Sequence, residues 1–151
     1  MSEARVASAH RVRWLALVLG GIAAGCGTLG QEQRLTDLEI ALRTYGAAMR
    51  WGLYDNAASY VRLRPGSEPV PPCVPRDDVR ITTYQVRDTG LSDDGYEANV
   101  RATLGYMPLD ASAVREVLDV QHWWYSKDAH RWFIDGGLPE AICKRLPEGR
   151  E

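Results

Sequence analysis

Apolar residues recur at spacings of three and four between Gln31 and Met49. They are Leu35, Leu38, Leu42, Tyr45 and Met49. Residues at this spacing share one face of an α-helix, so the pattern predicts an amphipathic helix. Gly52 interrupts it, and residues 55–61 predict a second, shorter helix that Asp55 can cap. The two segments together predict a bent helical hairpin.

Six proline or glycine residues between Arg64 and Pro75 exclude a helix interior and predict an extended connection. From Val79 the apolar period changes to two, which is typical of half-buried strands. The predicted strands cover residues 79–87, 96–106, 114–125 and 130–135. In the first strand, one face holds Val79, Ile81 and Thr83, and the other holds Arg80, Thr82 and Tyr84.

Turn residues separate the second strand from its neighbours. Asp94-Gly95 supplies the backbone conformation of a tight hairpin turn, and Pro108 closes the strand. The apolar face of that strand is Tyr96, Ala98, Val100, Ala102, Leu104 and Tyr106. The predicted fold class is therefore α+β, with an N-terminal helix or bent helical hairpin packed on a curved, antiparallel, four-stranded sheet.

The N-terminus carries a different pattern. Arg5, Arg11 and Arg13 precede an apolar run from Trp14 to Gly25, which is about 12 residues long. A helix that spans a bilayer needs roughly 20 apolar residues, so the run predicts a cleaved export signal. The alternative is an uncleaved anchor or a buried helix, which the glycines of the run would weaken.

The tetrapeptide Ala23-Ala24-Gly25-Cys26 resembles the lipobox of bacterial lipoproteins. The resemblance implies cleavage before Cys26 and lipidation of its thiol, with several acyl chains holding the protein to a membrane. Ala23 replaces the preferred Leu, so ordinary cleavage near Ala23 or Ala24 stays open. Gly27 replaces the Asp that commonly retains lipoproteins at the inner membrane. The expected location is therefore the outer membrane of the bacterial envelope, facing the periplasm.

These segments divide the chain into a signal peptide (1–25), a lipidated tether (26–34), an α+β domain (35–143) and a tail (144–151). Cleavage removes Arg5, Arg11, Arg13 and Glu3, which reduces 18 basic and 20 acidic residues to 15 and 19. An acidic chain without a basic run lacks the surface that neutralises phosphates, so nucleic acid is not an expected partner.

The order of the elements resembles the NTF2-like, cystatin-related α+β family. Two passages carry the resemblance: the helix-break-helix sequence from Leu42 to Ala58 and the terminal hairpin from Gln121 to Asp135. It covers roughly residues 35–138. The family contains enzymes, small-molecule binders and interaction modules, so the fold alone does not choose among them.

Cys73 and Cys143 remain as a pair once Cys26 is lipidated. In an oxidising periplasm they are candidates for a disulfide that ties the proline-rich connection to the C-terminal segment. The alternative is two unpaired thiols, one or both buried. Neither has a CxxC partner or an adjacent histidine, so a catalytic cysteine is not expected.

Candidate acid–base residues are few. His122, Asp119, Asp135, Tyr45 and Tyr84 are the residue types that an NTF2-like enzyme uses in an apolar cavity. His122 shares a strand face with Leu118, Val120 and Trp124, so it is a candidate for the interior, whereas Asp119 faces the other side. His130 is expected in solvent beside a turn. No metal-ligand spacing is present, and we predict no metal, cofactor or catalytic residue.

The strongest local feature of the predicted domain is a group of aromatic residues in the terminal hairpin. They are Trp123, Trp124, Tyr125, Trp132 and Phe133. Consecutive aromatics in a strand place rings on both faces, so they indicate core packing, a docking surface for a protein, or a cavity that Trp124 and Tyr106 line.

The predicted function is a non-catalytic, membrane-anchored interaction module with an envelope protein as partner. The alternative is an NTF2-like small-molecule-binding domain or enzyme. An enclosed cavity that holds His122 or Asp135 would favour the alternative, and a filled core would favour the interaction module.

Overall fold

The structure, a computed structural model, describes residues 26–144, with side chains from Leu29 onward. The predicted signal peptide (1–25) and the last seven residues lie outside the described part. Helix α1 spans Cys26–Arg50 and α2 spans Tyr54–Ala58. A tight turn at Gly52 (φ +68°) joins them, and the Leu53 N–H donates to the carbonyl of Ala48 across it. This is a glycine-terminated helix end, which confirms the predicted break.

Four antiparallel strands follow in a simple meander. They are β2 (Val79–Leu91), β3 (Glu97–Pro108), β4 (Arg115–Ser126) and β5 (Arg131–Ile134), in the spatial order β2-β3-β4-β5. Gly95 at φ +69° closes the β2–β3 hairpin as its sequence predicts. The α+β architecture, with a helix packed on an antiparallel four-stranded sheet, is thereby confirmed.

A second, two-stranded sheet joins the proline-rich connection to the C-terminal segment. Strand β1 (Val74–Pro75) pairs with β6 (Cys143–Lys144). Beside this pair, Cys73 and Cys143 form a disulfide with their Cα atoms 5.1 Å apart. A short 3-10 helix, Glu140–Ile142, precedes β6 and buries the Ile142 side chain completely. The disulfide thus fixes a segment that contributes to the main core.

The core lies between α1 and the sheet. Of the predicted helical stripe, Leu38, Leu42, Tyr45 and Met49 are buried, whereas Leu35 is exposed. On the sheet, Ala98, Val100, Ala102 and Leu104 bury the predicted apolar face of β3. Gly46 lets the helix approach β2 closely, since a Cβ at that position would lie 2.8 Å from Cδ1 of Tyr84. Helix α1 and strand β3 therefore bury the faces that their periodicity assigns to them.

Helix α1 begins at Cys26 and so includes the residues expected to form a tether. Within that stretch, Arg34 contacts the β2–β3 hairpin: its Nε donates to the Gly95 carbonyl at 2.9 Å, and its guanidinium stacks on Tyr96 at 4.0 Å from the ring centroid. The Arg34 carbonyl accepts a hydrogen bond from Trp132 Nε1 at 2.8 Å. The folded domain therefore extends at least to Arg34, the last residue of the predicted tether.

The predicted face assignment of β2 is wrong after Ile81. The pairing register with β3 shifts between Ile81 and Thr83, which is a β-bulge at Thr82. A bulge inserts one residue and reverses the alternation beyond it. As a result Tyr84 is buried and Thr83 is exposed, the opposite of the strict period of two.

Candidate functional site

Two of the predicted interaction aromatics belong to the core. Trp123 and Trp132 are 0% and 1% exposed. Trp123 Nε1 donates to Gln121 Oε1 at 2.8 Å, and its ring packs edge-on against Tyr45 with centroids 5.8 Å apart. Neither tryptophan can contact a partner while the domain stays folded, so core packing is the role that the structure gives them.

The remaining aromatics are half-buried or covered by neighbours. Trp124 lies on the outer face of the sheet, where its Nε1 donates to the Arg62 carbonyl at 2.8 Å. Phe133 lies beside it, with the guanidinium of Arg62 at 5.0 Å from its ring centroid. Tyr125 packs edge-on against Trp132 on the inner side. These rings hold the segment after α2 against the sheet rather than forming an open aromatic surface.

A polar cluster lies among the inner aromatics, and we call it the interior cluster: Asp119, Gln121, Tyr84 and Tyr45. Gln121 Nε2 donates to Asp119 Oδ2 at 2.6 Å and to the Tyr84 hydroxyl at 2.8 Å. The ring of Tyr45 stands edge-on to Tyr84, with centroids 5.6 Å apart. Tyr45 is completely buried, and its hydroxyl has no hydrogen-bond partner among the described residues.

Burial controls the protonation of this cluster. It raises the pKa of the Asp119 carboxyl to about 6, although hydrogen bonds from Gln121 and Tyr84 oppose that rise. Burial also raises the pKa of Tyr84, and the negative charge of Asp119 adds to the effect. Burial likewise raises the pKa of Tyr45, and the charges of Tyr84 and Asp119 add to that rise. The Asp119 carboxyl is therefore mostly neutral below about pH 6. Burial also favours the neutral form of the Tyr45 and Tyr84 phenols.

His122 does not enter the interior, which corrects the expectation that it shares an inward apolar face. It lies on the outer face of β4, and its Nε2 is 3.2 Å from Glu97 Oε2. Arg64 also pairs with Glu97, and its amide N–H donates to Asp135 Oδ1 at 3.0 Å. Ser67 Oγ donates to the other oxygen of Asp135 at 2.7 Å. His122 and Asp135 thus belong to a polar network that fastens residues 64–67 to the sheet.

The Asp135 carboxylate is the anchor of that network. Although its partial burial opposes ionisation, hydrogen bonds from Arg64 and Ser67, together with the Arg64 charge, lower its pKa. His130, at the β4–β5 turn, adopts φ +50° and is exposed. Asp135 thus holds residues 64–67 in place, and His130 lies in solvent beside the turn as expected.

Helix α1 is flanked by two grooves that are open to solvent. One runs along β2 and is lined by residues that include Glu39, Arg43 and Tyr84. The other lies at the β5 side and is lined by residues that include Asp37, Ile40 and Arg131. Neither is lined by His122, Asp119 or Asp135. Between the grooves, buried side chains from α1 and from the sheet pack into one continuous core.

The exposed apolar surface of the sheet lies where β4 extends beyond β5. We call residues Arg115 to Gln121 the free β4 segment, since β5 pairs only with residues 123–126 of β4. Leu118 and Val120 are 58% and 66% exposed on the outer face, and Val114 and Val117 are also exposed. The sequence analysis did not identify this surface, because apolar residues in a predicted strand usually indicate burial.

Neither a group of metal ligands nor a membrane-spanning helix is present in the part of the chain that the structure describes. Within residues 26–144, no group of three or more His, Cys, Asp and Glu side chains could hold a metal ion. No helix in the same range combines the length and the hydropathy that crossing a membrane requires. Cys26 begins α1, and its predicted lipid-bearing thiol lies outside the described side chains.

Comparisons with protein-family models, curated proteins and solved structures find no match to the chain.

The unpaired hydroxyl of Tyr45 gives a direct prediction. Tyr45→Phe removes a buried polar group without a partner, so we expect the free energy of unfolding to rise by about 1 kcal/mol. Tyr84→Phe is the matched control: it removes the acceptor of a buried hydrogen bond from Gln121 and should lower stability by about 1 kcal/mol. Urea unfolding of both variants measures the effect, and equal losses would contradict this account.

Proposed function

We propose that the protein is a lipid-anchored lipoprotein of the bacterial envelope, most simply of the outer membrane facing the periplasm, whose NTF2-like domain is a non-catalytic interaction module. The observation that carries the proposal is the free β4 segment, where Leu118 and Val120 expose apolar surface at the edge of a sheet whose interior is packed. A monomeric protein rarely leaves a contiguous apolar surface unused, so such a surface indicates a partner.

The N-terminal sequence supports the proposed location in the bacterial envelope. A basic segment, a short apolar run and Ala23-Ala24-Gly25-Cys26 form the pattern of a lipoprotein signal. Cys73 and Cys143 fit the same compartment, since disulfides persist in oxidising environments. The element order and the antiparallel four-stranded sheet with a helix packed on it support the NTF2-like assignment.

The anchor gives the first test. Cys26→Ser should abolish labelling of the protein with a fatty-acid analogue and shift it from the membrane to the soluble fraction, because no other membrane attachment is proposed. Ala23→Leu, which restores the preferred lipobox residue, is the control and should keep both properties. Unchanged labelling and fractionation of the serine variant would refute the anchor.

The interaction surface is tested by placing a photo-crosslinking amino acid at position 118 in the full-length protein in cells. The matched control is Gln85, which lies in the same cross-strand row of the outer face but on the opposite edge strand. We expect a discrete adduct from position 118, with an envelope protein or a second copy, and none from position 85. Val120→Lys should abolish that adduct, and its persistence, or equal adducts at both positions, would contradict the proposal.

The interior cluster supports a second candidate function. A buried carboxyl with a raised pKa lies beside Tyr45, whose hydroxyl has no hydrogen-bond partner among the described residues. Small-molecule-binding or enzymatic NTF2-like domains use arrangements of this kind. Under this candidate, the Tyr45 hydroxyl would meet a ligand. Tyr45→Phe would then weaken stabilisation by that ligand in a thermal-shift screen of apolar carbonyl compounds. If no compound in the screen raises the melting temperature of the wild-type protein, this candidate is excluded for that class.

A further inference from the structure

On one edge of the free β4 segment, the backbone N–H and C=O groups are not paired with a neighbouring strand. Strand β3 pairs with β4 from Arg115 to Trp124, whereas β5 pairs with it only from Trp123 to Ser126. One additional bond, from the Asp135 N–H to the His122 carbonyl at 2.8 Å, extends the β5 side by one residue. Within residues 26–144, the second backbone edge of residues 115–121 therefore has no strand partner.

The two edges of the sheet differ in how they resist pairing. The outer strand β2 carries two register shifts, after Ile81 and after Val86, and α1 packs beside it. Bulges of this kind keep an edge from pairing with another chain. By contrast, β3 and β4 pair without any register shift, and the free segment contains no proline. The β4 edge is regular and open.

We propose that the free β4 segment pairs antiparallel with the same segment of a second copy, with Val117 opposite Val117 at a two-fold axis. Two four-stranded sheets would then form one continuous eight-stranded sheet. The inference rests on the proposed function, because it names the partner of the same surface. A self-complementary interface of this kind is the usual way in which two identical chains form a closed dimer.

Charge selects the register. Arg115 and Asp119 lie on one face of β4, two residues on either side of Val117. A two-fold axis at Val117 places Arg115 of each copy opposite Asp119 of the other, which makes two ion pairs. An axis at Asp119 would place the two Asp119 side chains opposite each other, which is unfavourable. An axis at Leu118 would pair Arg115 with Gln121 and would form no ion pair.

The same register suits the other side chains. On the outer face, Val120 lies opposite Val114 of the second copy, and Leu118 lies opposite Glu116. The exposed Val120 thus gains an apolar partner, and the stem of Glu116 can cover Leu118. The paired segment runs from Val114 to Val120, so it ends before β5 begins on either copy. Asp119, which has no Lys or Arg partner among the described side chains, gains one.

Disulfide trapping tests the register in the full-length protein in its own membrane. Val117→Cys would place two cysteines directly opposite, at a Cα separation of about 4.5–5.5 Å, which a disulfide can bridge. Leu118→Cys is the control, because in this register the two introduced cysteines lie diagonally, roughly 7–8 Å apart. We expect a species of twice the chain mass on non-reducing gels from Val117→Cys, at least tenfold more abundant than from Leu118→Cys.

Charge reversal tests the ion pairs. Arg115→Glu, at an exposed position, should reduce the Val117→Cys dimer about tenfold, and Arg115→Asp combined with Asp119→Arg should restore it. Arg80→Glu, an exposed change on β2, should leave the dimer unchanged. If the double variant does not fold, the amount of Val117→Cys dimer with Arg115→Glu, compared with that with Arg80→Glu, tests the ion pairs by itself.

The outcomes separate this inference from the proposed function. No Val117→Cys dimer, equal dimers from both cysteine variants, or insensitivity to Arg115→Glu would overturn the pairing of two copies. If position 118 then still crosslinks to a different envelope protein, the interaction module survives with another partner. If position 118 forms no adduct at all, both ideas fail.

Discussion

Replacing Cys73 and Cys143 together by serine is expected to lower the free energy of unfolding by about 4 kcal/mol. The bond closes a loop with a sequence separation of 70 residues, so its removal enlarges the conformational freedom of the unfolded chain. In the folded chain, the bond also holds β6 against β1 and keeps the buried Ile142 in the core. Few single changes on the surface of the domain could have an effect of this size.

Urea unfolding of the oxidised wild type and of the double-serine variant measures this difference. The wild type after reduction is the matched control and should behave like the variant. Titration of the denatured, unreduced wild type should find no reactive thiol at either position. A stability difference below about 1 kcal/mol, or two free thiols in the unreduced protein, would show that the bond does not form.

Asp119 should make the monomer less stable as the pH rises from about 4 to about 6. Its pKa is about 6 in the folded chain, whereas a carboxyl in an unfolded chain titrates near 3.9. Between these values the folded state binds more protons than the unfolded state, so raising the pH favours unfolding. About two pKa units correspond to about 3 kcal/mol. The effect is complete about one pH unit above the folded-state pKa, near pH 7.

Asp119→Asn removes this titration while keeping the size of the side chain. The difference in unfolding free energy between the variant and the wild type should grow by about 2 kcal/mol from pH 4 to pH 7, in favour of the variant. Asp93→Asn, an exposed change in the β2–β3 turn, is the control and should give a flat difference. Unfolding curves at low protein concentration keep the comparison on the monomer. A flat Asp119→Asn difference would contradict this prediction, because it would mean that the carboxyl has the same pKa in the folded and unfolded chains.

Periodicity along the chain was sufficient to predict the architecture. The spacing of Leu38, Leu42 and Tyr45 determined the buried face of α1, and the alternation along β3 determined the inner face of the sheet. Gly52 and Gly95 both adopt the positive φ that their positions suggested. These features are local, since each depends on neighbours within a few residues.

Other features depend on contacts between distant segments, and the sequence alone did not reveal them. The bulge at Thr82 reverses the faces of β2, yet no residue near it is a typical bulge signal. The short pairing between β5 and β4 leaves Leu118 and Val120 exposed, although a hydrophobic strand usually predicts burial. Strands β1 and β6 are two residues long, which is too short for any periodic signal.

The interior cluster illustrates the same limit. Apolar residues stand on both faces of β4, so the alternation did not reveal whether His122 or Asp119 points inward. Trp123 and Trp124 are both large rings, so they did not decide it either; in the structure Trp123 takes the inner face, and Asp119 and Gln121 share its parity. His122 then falls on the outer face, where Glu97 and Asp135 hold it.

We propose that lipid at Cys26 anchors the domain, and the intact mass of the protein purified from membranes measures this modification. We expect a chain that begins at Cys26, with the mass of residues 26–151 plus a diacylglycerol and an amide-linked acyl chain, and with two hydrogens fewer for the Cys73–Cys143 bond. A chain that begins at any other residue, or one that begins with an unmodified Cys26, would contradict it.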